Sequence, residues 1–279
     1  MRSSVLFTLL PLVAASVLGA FALAMADSTS LVKVARSPRT GREQPVLVEL
    51  FTSEGCSSCP PADQLLMELD QAHWLANAEV IVLSEHVDYW NRLGWVDPFS
   101  SSQFSDRQKG YAACFAQAGI YTPQMVVDGH EELVGSDRTH ALRAIADAAR
   151  QPKANVVLAI APRTQAVTGG QIGLTVRVEG LPGLPPHGPS DVFLAITESR
   201  LHSQILRGEN SGRGLDHTAV VRSLTALGGA EGNKVFSAAP VVSIEPSWKR
   251  ANLKAVVFVQ ELRSGRVLGV AALSLAPGQ

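Results

Sequence analysis

The stretch that most constrains this chain is Val46-Leu47-Val48-Glu49-Leu50-Phe51-Thr52-Ser53-Glu54-Gly55-Cys56-Ser57-Ser58-Cys59-Pro60-Pro61. An apolar run of strand length feeds a polar turn that carries two cysteines. Ala62, Leu65, Leu66 and Leu69 then repeat at i, i+3, i+4 and i+7, the period of a helix with one buried face. Pro60 and Pro61 fit only the first helical turn, where a missing N–H costs nothing. Cys56 is therefore expected at or just before a helix N-terminus. Unpaired backbone N–H groups and the positive end of the helix dipole there favour a thiolate. A Cys-x-x-Cys pair can also be half of a zinc or copper(I) site, with His86 as a third ligand, or a static brace.

A second stretch supports the first. Thr122-Pro123-Gln124-Met125-Val126-Val127-Asp128-Gly129 predicts a strand and turn. A short strand at 132–135 and a helix from Asp137 to about Ala149 follow. Together with the cysteine turn, this order resembles the thioredoxin superfamily. The resemblance implies a cis Thr122–Pro123 bond lying against the cysteines, and Cys56, Cys59 and Pro123 as the catalytic set. It implies Cys56 as the more exposed nucleophile, Cys59 as the resolving thiol, and no cofactor. More narrowly, the chain is similar to a bacterial secreted family known as DUF1223. That similarity covers nearly the whole mature chain and implies a fold without an established activity.

The resemblance also directs attention to acids near the cysteines. Counting back from Cys56, the position of a buried proton acceptor falls on Leu50, with Glu49 one residue off. A one-residue offset in a strand turns a side chain to the other face. Glu54 stands closer, where its charge would raise the Cys56 pKa.

The N-terminus reads as a signal peptide over residues 1–26. Arg2 precedes an apolar run from Val5 to Ala24, and Ala24-Met25-Ala26 is a small-x-small cleavage site. An uncleaved membrane tether is the alternative. Both place the remainder outside the cytoplasm, periplasmic or secreted. Residues 27–44 read as a flexible lead-in. A net charge of −1 leaves no basic footprint for nucleic acid. With 46% apolar and 18% charged residues, the chain has material for real cores.

The expected fold is an α/β thioredoxin-like N-terminal domain at 45–150 followed by an all-β sandwich-like C-terminal domain at 151–279. Helices are expected at about 58–73 and from about Ser101 to Ala118, the second capped by Gly119. Val80–Leu83 is the second strand. An insertion at about 84–119 follows it, placing His86, Asp88, Tyr89 and Trp90 beside the cysteines. Cys114, the odd cysteine, reads as a buried thiol on the second helix, or as a third redox thiol. The period of two at Ile172, Leu174, Val176 and Val178 begins a series of strands, with a hairpin at 263–266 and a proline-marked turn at 182–189. The loop 207–217 gathers charged side chains among glycines. It is expected to fold over the first half, with Arg207, Arg213 and His217 facing a cleft and Glu49, His86, Asp88 and Trp90 as further cleft candidates.

These features predict an extracytoplasmic thiol–disulfide oxidoreductase acting on a protein or small-molecule thiol or disulfide. The alternatives are a binding module braced by a Cys56–Cys59 disulfide, and a copper- or zinc-binding protein.

Overall fold

Alternation along the first long strand sets the layers of the molecule. In β2 (Gln44–Thr52), Val46, Val48 and Leu50 face one way and Leu47, Glu49 and Phe51 the other. The first set packs against helices α1 (Pro60–Asp70) and α3 (Arg138–Ala148), through Leu65, Leu66 and Leu69 and through Ala141, Ala144 and Ile145. The computed structural model describes residues 34–36, 43–72, 75, 77–162, 170–182, 189–232 and 234–277. The stretch expected to be a signal peptide and most of the expected lead-in lie outside these, as do Pro185 and Pro186 of the expected turn. Among the described residues, no helix is long and apolar enough to cross a membrane.

β2 pairs in parallel with β3 (Ala78–His86) and antiparallel with β4 (Gln124–Val127), which pairs with β5 (Glu131–Val134). The Thr122–Pro123 bond that opens β4 is cis. An α/β thioredoxin-like N-terminal domain is nevertheless not what the chain forms. Among the described residues strand far outweighs helix, with three α-helices, the third being α2 (Ser102–Cys114). Val32–Gln279 groups as one compact unit. The far edge of β3 is not open. It carries β11 (Val220–Ala230), joined in parallel at Val220–Ser84, where Ser84 N–H donates to Ala219 O at 2.9 Å. Beyond β11 come β8 (Ser190–Glu198), β14 (Leu253–Glu261) and β15 (Val267–Ser274), giving one eight-stranded sheet in the order β15-β14-β8-β11-β3-β2-β4-β5. An unpaired strand edge leaves backbone donors and acceptors unsatisfied, and the C-terminal strands satisfy them here.

The long sheet folds back on itself. Leu47, Phe51, Leu83 and Val126 of its first part share a core with Ala195, Val256, Phe258 and Val270 of its second part. Val267 N–H donates to Asp128 O at 2.8 Å across the gap. The other face of β8 and β14 packs on a second sheet, β1-β6-β7-β12 with β13 also on β7. Its strands are β1 (Val34–Arg36), β6 (Asn155–Ile160), β7 (Gln171–Glu179), β12 (Phe236–Ala238) and β13 (Val241–Ser243). β1 lies within the stretch read as a lead-in and pairs antiparallel with β6.

Other elements differ locally from expectation. β3 runs on through Ser84, Glu85 and His86, whose polarity suggests a loop. α2 ends at Cys114, with Phe115 as its C-cap, ahead of Gly119. Cys114 is exposed and not a buried thiol, its Sγ near Arg263 O. β9 (Leu201–Gln204) and β10 (Gly214–His217) form a separate antiparallel pair.

Inside the folded-back sheet stands a buried ionic cluster. The Arg107 guanidinium reaches Glu49 at 2.6 Å and Glu85 at 3.4 Å, and it donates to Gln260 and Tyr111 at 3.0 and 3.1 Å. The rings of Tyr111, Phe258 and Phe193 surround it at 5.1, 5.1 and 5.6 Å. Burial, followed by the neighbouring Glu49 charge, pushes the Glu85 carboxyl well above its ordinary value, with Arg107 opposing. Neither carboxyl oxygen of Glu85 has a hydrogen-bond partner among the described residues.

Candidate active site around the Cys56–Cys59 disulfide

Cys56 and Cys59 form a disulfide with Cα atoms 5.4 Å apart, at the turn between β2 and α1. Cys59 is the N-cap of α1, and its carbonyl accepts from the N–H groups of Ala62 and Asp63. Cys56 lies one turn earlier, held by its N–H to Ser53 O. Pro60 and Pro61 open the helix and offer no N–H to a thiolate. The helix start is thus poorer in donors than its position suggests. Both cysteines are fully buried, so Cys56 is not the more exposed of the two.

Pro123 is buried next to this turn. A Cβ built on Gly135 would lie 2.7 Å from Leu50 Cδ1 and 3.1 Å from the Cβ atoms of Ala62 and Pro123. Gly135 is what lets β5, α1 and Pro123 converge. Trp90 closes another side. Its Nε1–H donates to Thr122 Oγ1 at 2.8 Å, and its Cβ is 3.3 Å from a Cβ built on Gly55. Any larger residue before Cys56 would press on Trp90.

The loop between β9 and β10 lies across the turn as a strap. Asn210, wholly buried, donates through Nδ2 to the carbonyls of Glu54 and Cys56, each at 2.9 Å. The Glu209 carboxylate accepts the Ser57 N–H at 3.0 Å, and hydrogen bonding from Ser57, its side chain first and then its backbone, holds the Glu209 pKa below the ordinary value. Arg213 donates to Asn210 Oδ1 at 3.1 Å and is otherwise exposed. Arg207 is exposed. Gly208, at φ +78°, sits against Trp95, where a Cβ would lie 3.2 Å from Trp95 Cβ. Strap and insertion therefore meet beside the disulfide.

Beneath them lies a buried acid–imidazole cluster. Glu54 accepts from Trp95 Nε1–H at 2.7 Å and meets His217 Nε2 at 3.1 Å. His86 Nδ1 is 2.7 Å from Asp97 Oδ2, which also accepts the Glu54 N–H. The His86 and His217 rings are 5.0 Å apart, centre to centre. Asp63, on the first turn of α1, accepts from Thr52 Oγ1 at 2.8 Å. Burial raises its pKa, with His217, His86 and the Thr52 bond opposing. His86 Nε2 and His217 Nδ1 have no hydrogen-bond partner among the described residues.

Cys56, Cys59, Pro123, His86, Trp90 and His217 thus come together. Glu49 does not join them. Its partners are Arg107 and Tyr111, on the sheet face opposite Leu50, as the strand offset requires. Asp88 bonds Ser105 at the start of α2 instead. Asp63, Asp97, Glu209 and Asn210 are absent from the sequence-derived set. Asp63 carries a signal: four residues after Cys59 and three before Leu66, it lies on the buried face of α1.

Burial would lower the His86 pKa, but the Asp97 charge and hydrogen bond outweigh it and raise the value above the ordinary 6.5. Burial would raise the Asp97 pKa. His86 and the backbone N–H groups of Glu54 and Phe99 outweigh that and lower it. The Asp97 contribution to stability is present above the ordinary carboxylate range and is lost as pH falls through its depressed value. The His86 contribution is complete below 6.5 and is lost as pH rises through its raised value. Asp97→Asn should move the His86 ring-proton titration to lower pH in NMR. An unmoved midpoint would show that the pair is not coupled.

No curated protein matches the chain. A structural-genomics protein from Agrobacterium tumefaciens is similar at 25% identity and TM-score 0.59, over 84% of this chain and 96% of that one. HBP35 of Porphyromonas gingivalis, at 14% identity and TM-score 0.60, covers 86% of this chain with 80% of its own, a likeness of fold alone. The profile of one family matches residues 47–260, and the chain belongs to that family, described as "Protein of unknown function (DUF1223)".

Proposed function

We propose that the chain is an extracytoplasmic thiol–disulfide oxidoreductase whose working group is the Cys56–Cys59 pair. The observation that carries this reading is the placement of that disulfide. It stands on a strand-to-helix turn, directly beside buried groups able to exchange protons. A substrate thiolate attacks Cys56 Sγ, the Cys56–Cys59 bond breaks, and its electron pair leaves on Cys59 Sγ. On leaving, Cys59 Sγ takes up one proton, for which we assign Asp63, on the first turn of the same helix and with its pKa raised by burial. Attack by Cys59 or by a second substrate thiol on the mixed disulfide completes exchange in either direction. The turn carrying Cys56, with Pro123 ahead of β4, supports kinship of this local site with thioredoxin-like proteins. The N-terminal Arg2, apolar run and Ala-Met-Ala support export.

The strap belongs to this reading. In the closed state Glu209 holds the Ser57 N–H and Asn210 holds the Cys56 carbonyl. Lifting it would expose Cys56 and free one N–H for a thiolate that the proline-capped helix serves poorly.

A second reading, a binding module with a structural brace, is favoured by the complete burial of both sulfurs. The metal-binding alternative has no such support. Among the described residues, no three His, Cys, Asp or Glu side chains are grouped to hold an ion. Equilibration against thiol buffers decides between exchange and brace. A potential above about −300 mV is expected for an exchanging pair, and one below it would leave the brace.

A further inference from the structure

The rim of the strap carries an unusual combination of side chains. Among the described residues, the most exposed large apolar side chains are Val96, at 71%, and Leu206, at 70%. Leu93 is 49% exposed. Val96 and Leu93 flank Gly94 and Trp95 on the insertion, and Leu206 stands two residues before Gly208 on the strap. The two segments touch where Gly208 meets Gly94 and Trp95. The three side chains therefore border one contact, next to the turn that holds Cys56. Exposed apolar groups gathered at one place mark interaction sites more often than apolar groups scattered singly.

Basic side chains predominate around this contact. Arg92, Arg207 and Arg213 are exposed, and none has a carboxylate partner among the described residues. The rim carboxylate of Glu209 is turned to the Ser57 N–H. The whole chain has a net charge of −1, so this basic rim is a local departure. Apolar anchors ringed by guanidinium groups without carboxylate partners complement an apolar segment flanked by carboxylates.

We propose that Leu93, Val96 and Leu206, ringed by Arg92, Arg207 and Arg213, form a docking surface for an acidic, apolar polypeptide segment of the thiol partner. The proposal rests on the exchange reading for the identity of the partner, but docking itself requires no sulfur chemistry. A segment seated there lies beside the strap that covers Cys56, so docking selects which polypeptides reach the disulfide.

The test uses two fluorescent peptides with the same Leu and Val positions, one flanked by Asp and Glu and the other by Lys. Both carry Ser where a partner would carry Cys. Binding to the full oxidised chain is followed by anisotropy. The acidic peptide should associate about tenfold faster or more at low salt, and the advantage should shrink as salt rises. The double variant Arg207→Glu/Arg213→Glu should reverse the preference, and Val96→Ser/Leu206→Ser should weaken both peptides. All four positions are exposed, so the fold should tolerate these changes, and Arg207→Glu alone, which leaves the Arg213 bond to Asn210 in place, should weaken the acidic preference in the same direction. Equal binding of both peptides, or a preference unchanged in the charge-reversed variant, overturns the docking surface. Reduction by dithiothreitol, measured separately, tests the exchange reading. A disulfide inert to that reagent with the peptide preference intact would overturn exchange and keep docking.

Discussion

Arg107→Leu should lower the unfolding free energy by about 3–5 kcal/mol, the cost of removing one partner from a buried ion pair. The guanidinium is the cation between Glu49 and Glu85 and lies among three aromatic rings. Without it, the buried Glu49 carboxylate loses its counter-charge in an apolar enclosure. Glu85 already favours the protonated form and should lose less. Adding Glu49→Gln to Arg107→Leu should therefore restore part of the loss, because the second change removes the stranded charge. Urea unfolding of the two single variants and the double gives the coupling directly. Strictly additive losses would show that Arg107 acts through packing alone.

Asn210→Ala should accelerate reduction of the Cys56–Cys59 disulfide by small thiols about 10- to 100-fold. The amide makes two hydrogen bonds from a fully buried position, and losing them leaves two carbonyls without that partner. Such a loss costs about 1–3 kcal/mol, felt by the closed strap and not by the open one. Each 1.4 kcal/mol is about a tenfold change in the open population. Stopped-flow reduction with dithiothreitol reads the effect, and thermal unfolding of the same variant checks that the fold persists. An unchanged reduction rate would mean that the sulfurs are reached by another route or that the strap does not limit access.

The parts legible in the sequence are those fixed by near neighbours. The cysteine turn, α1 and α3 follow from helical spacing, a proline pair and an Asp cap, and they stand within a few residues of expectation. The hairpin at 263–266 follows from alternation on both sides of a turn. The join between β3 and β11 is of another kind. Nothing in Val80–Leu83 states which distant strand will cover its edge, and Ser84, Glu85 and His86 conceal how far the strand runs. Their polarity is satisfied or tolerated through residues far along the chain, including Arg107 and Asp97. Asn210 carries no signal in the sequence because it is uncharged in a loop full of charges, although its neutral amide can be buried at lower cost than any of them. Glu49 stands on the expected strand, and its one-residue offset already implies the face away from the cleft.

The parallel join at Val220–Ser84 bears on how the molecule comes to exist. A chain delivered N-terminus first presents β2, β3 and both cysteines long before β11 emerges. Until Val220 arrives, one margin of β3 has no partner, and the strap that shields the sulfurs has not yet been made. Pairings between such distant segments form slowly, because a long loop must close first. In that interval the nascent sheet is open to other strands and its thiols to other thiols. Completion of the C-terminal half is therefore also the moment at which the cysteines cease to be common property and become accessible on the protein's own terms.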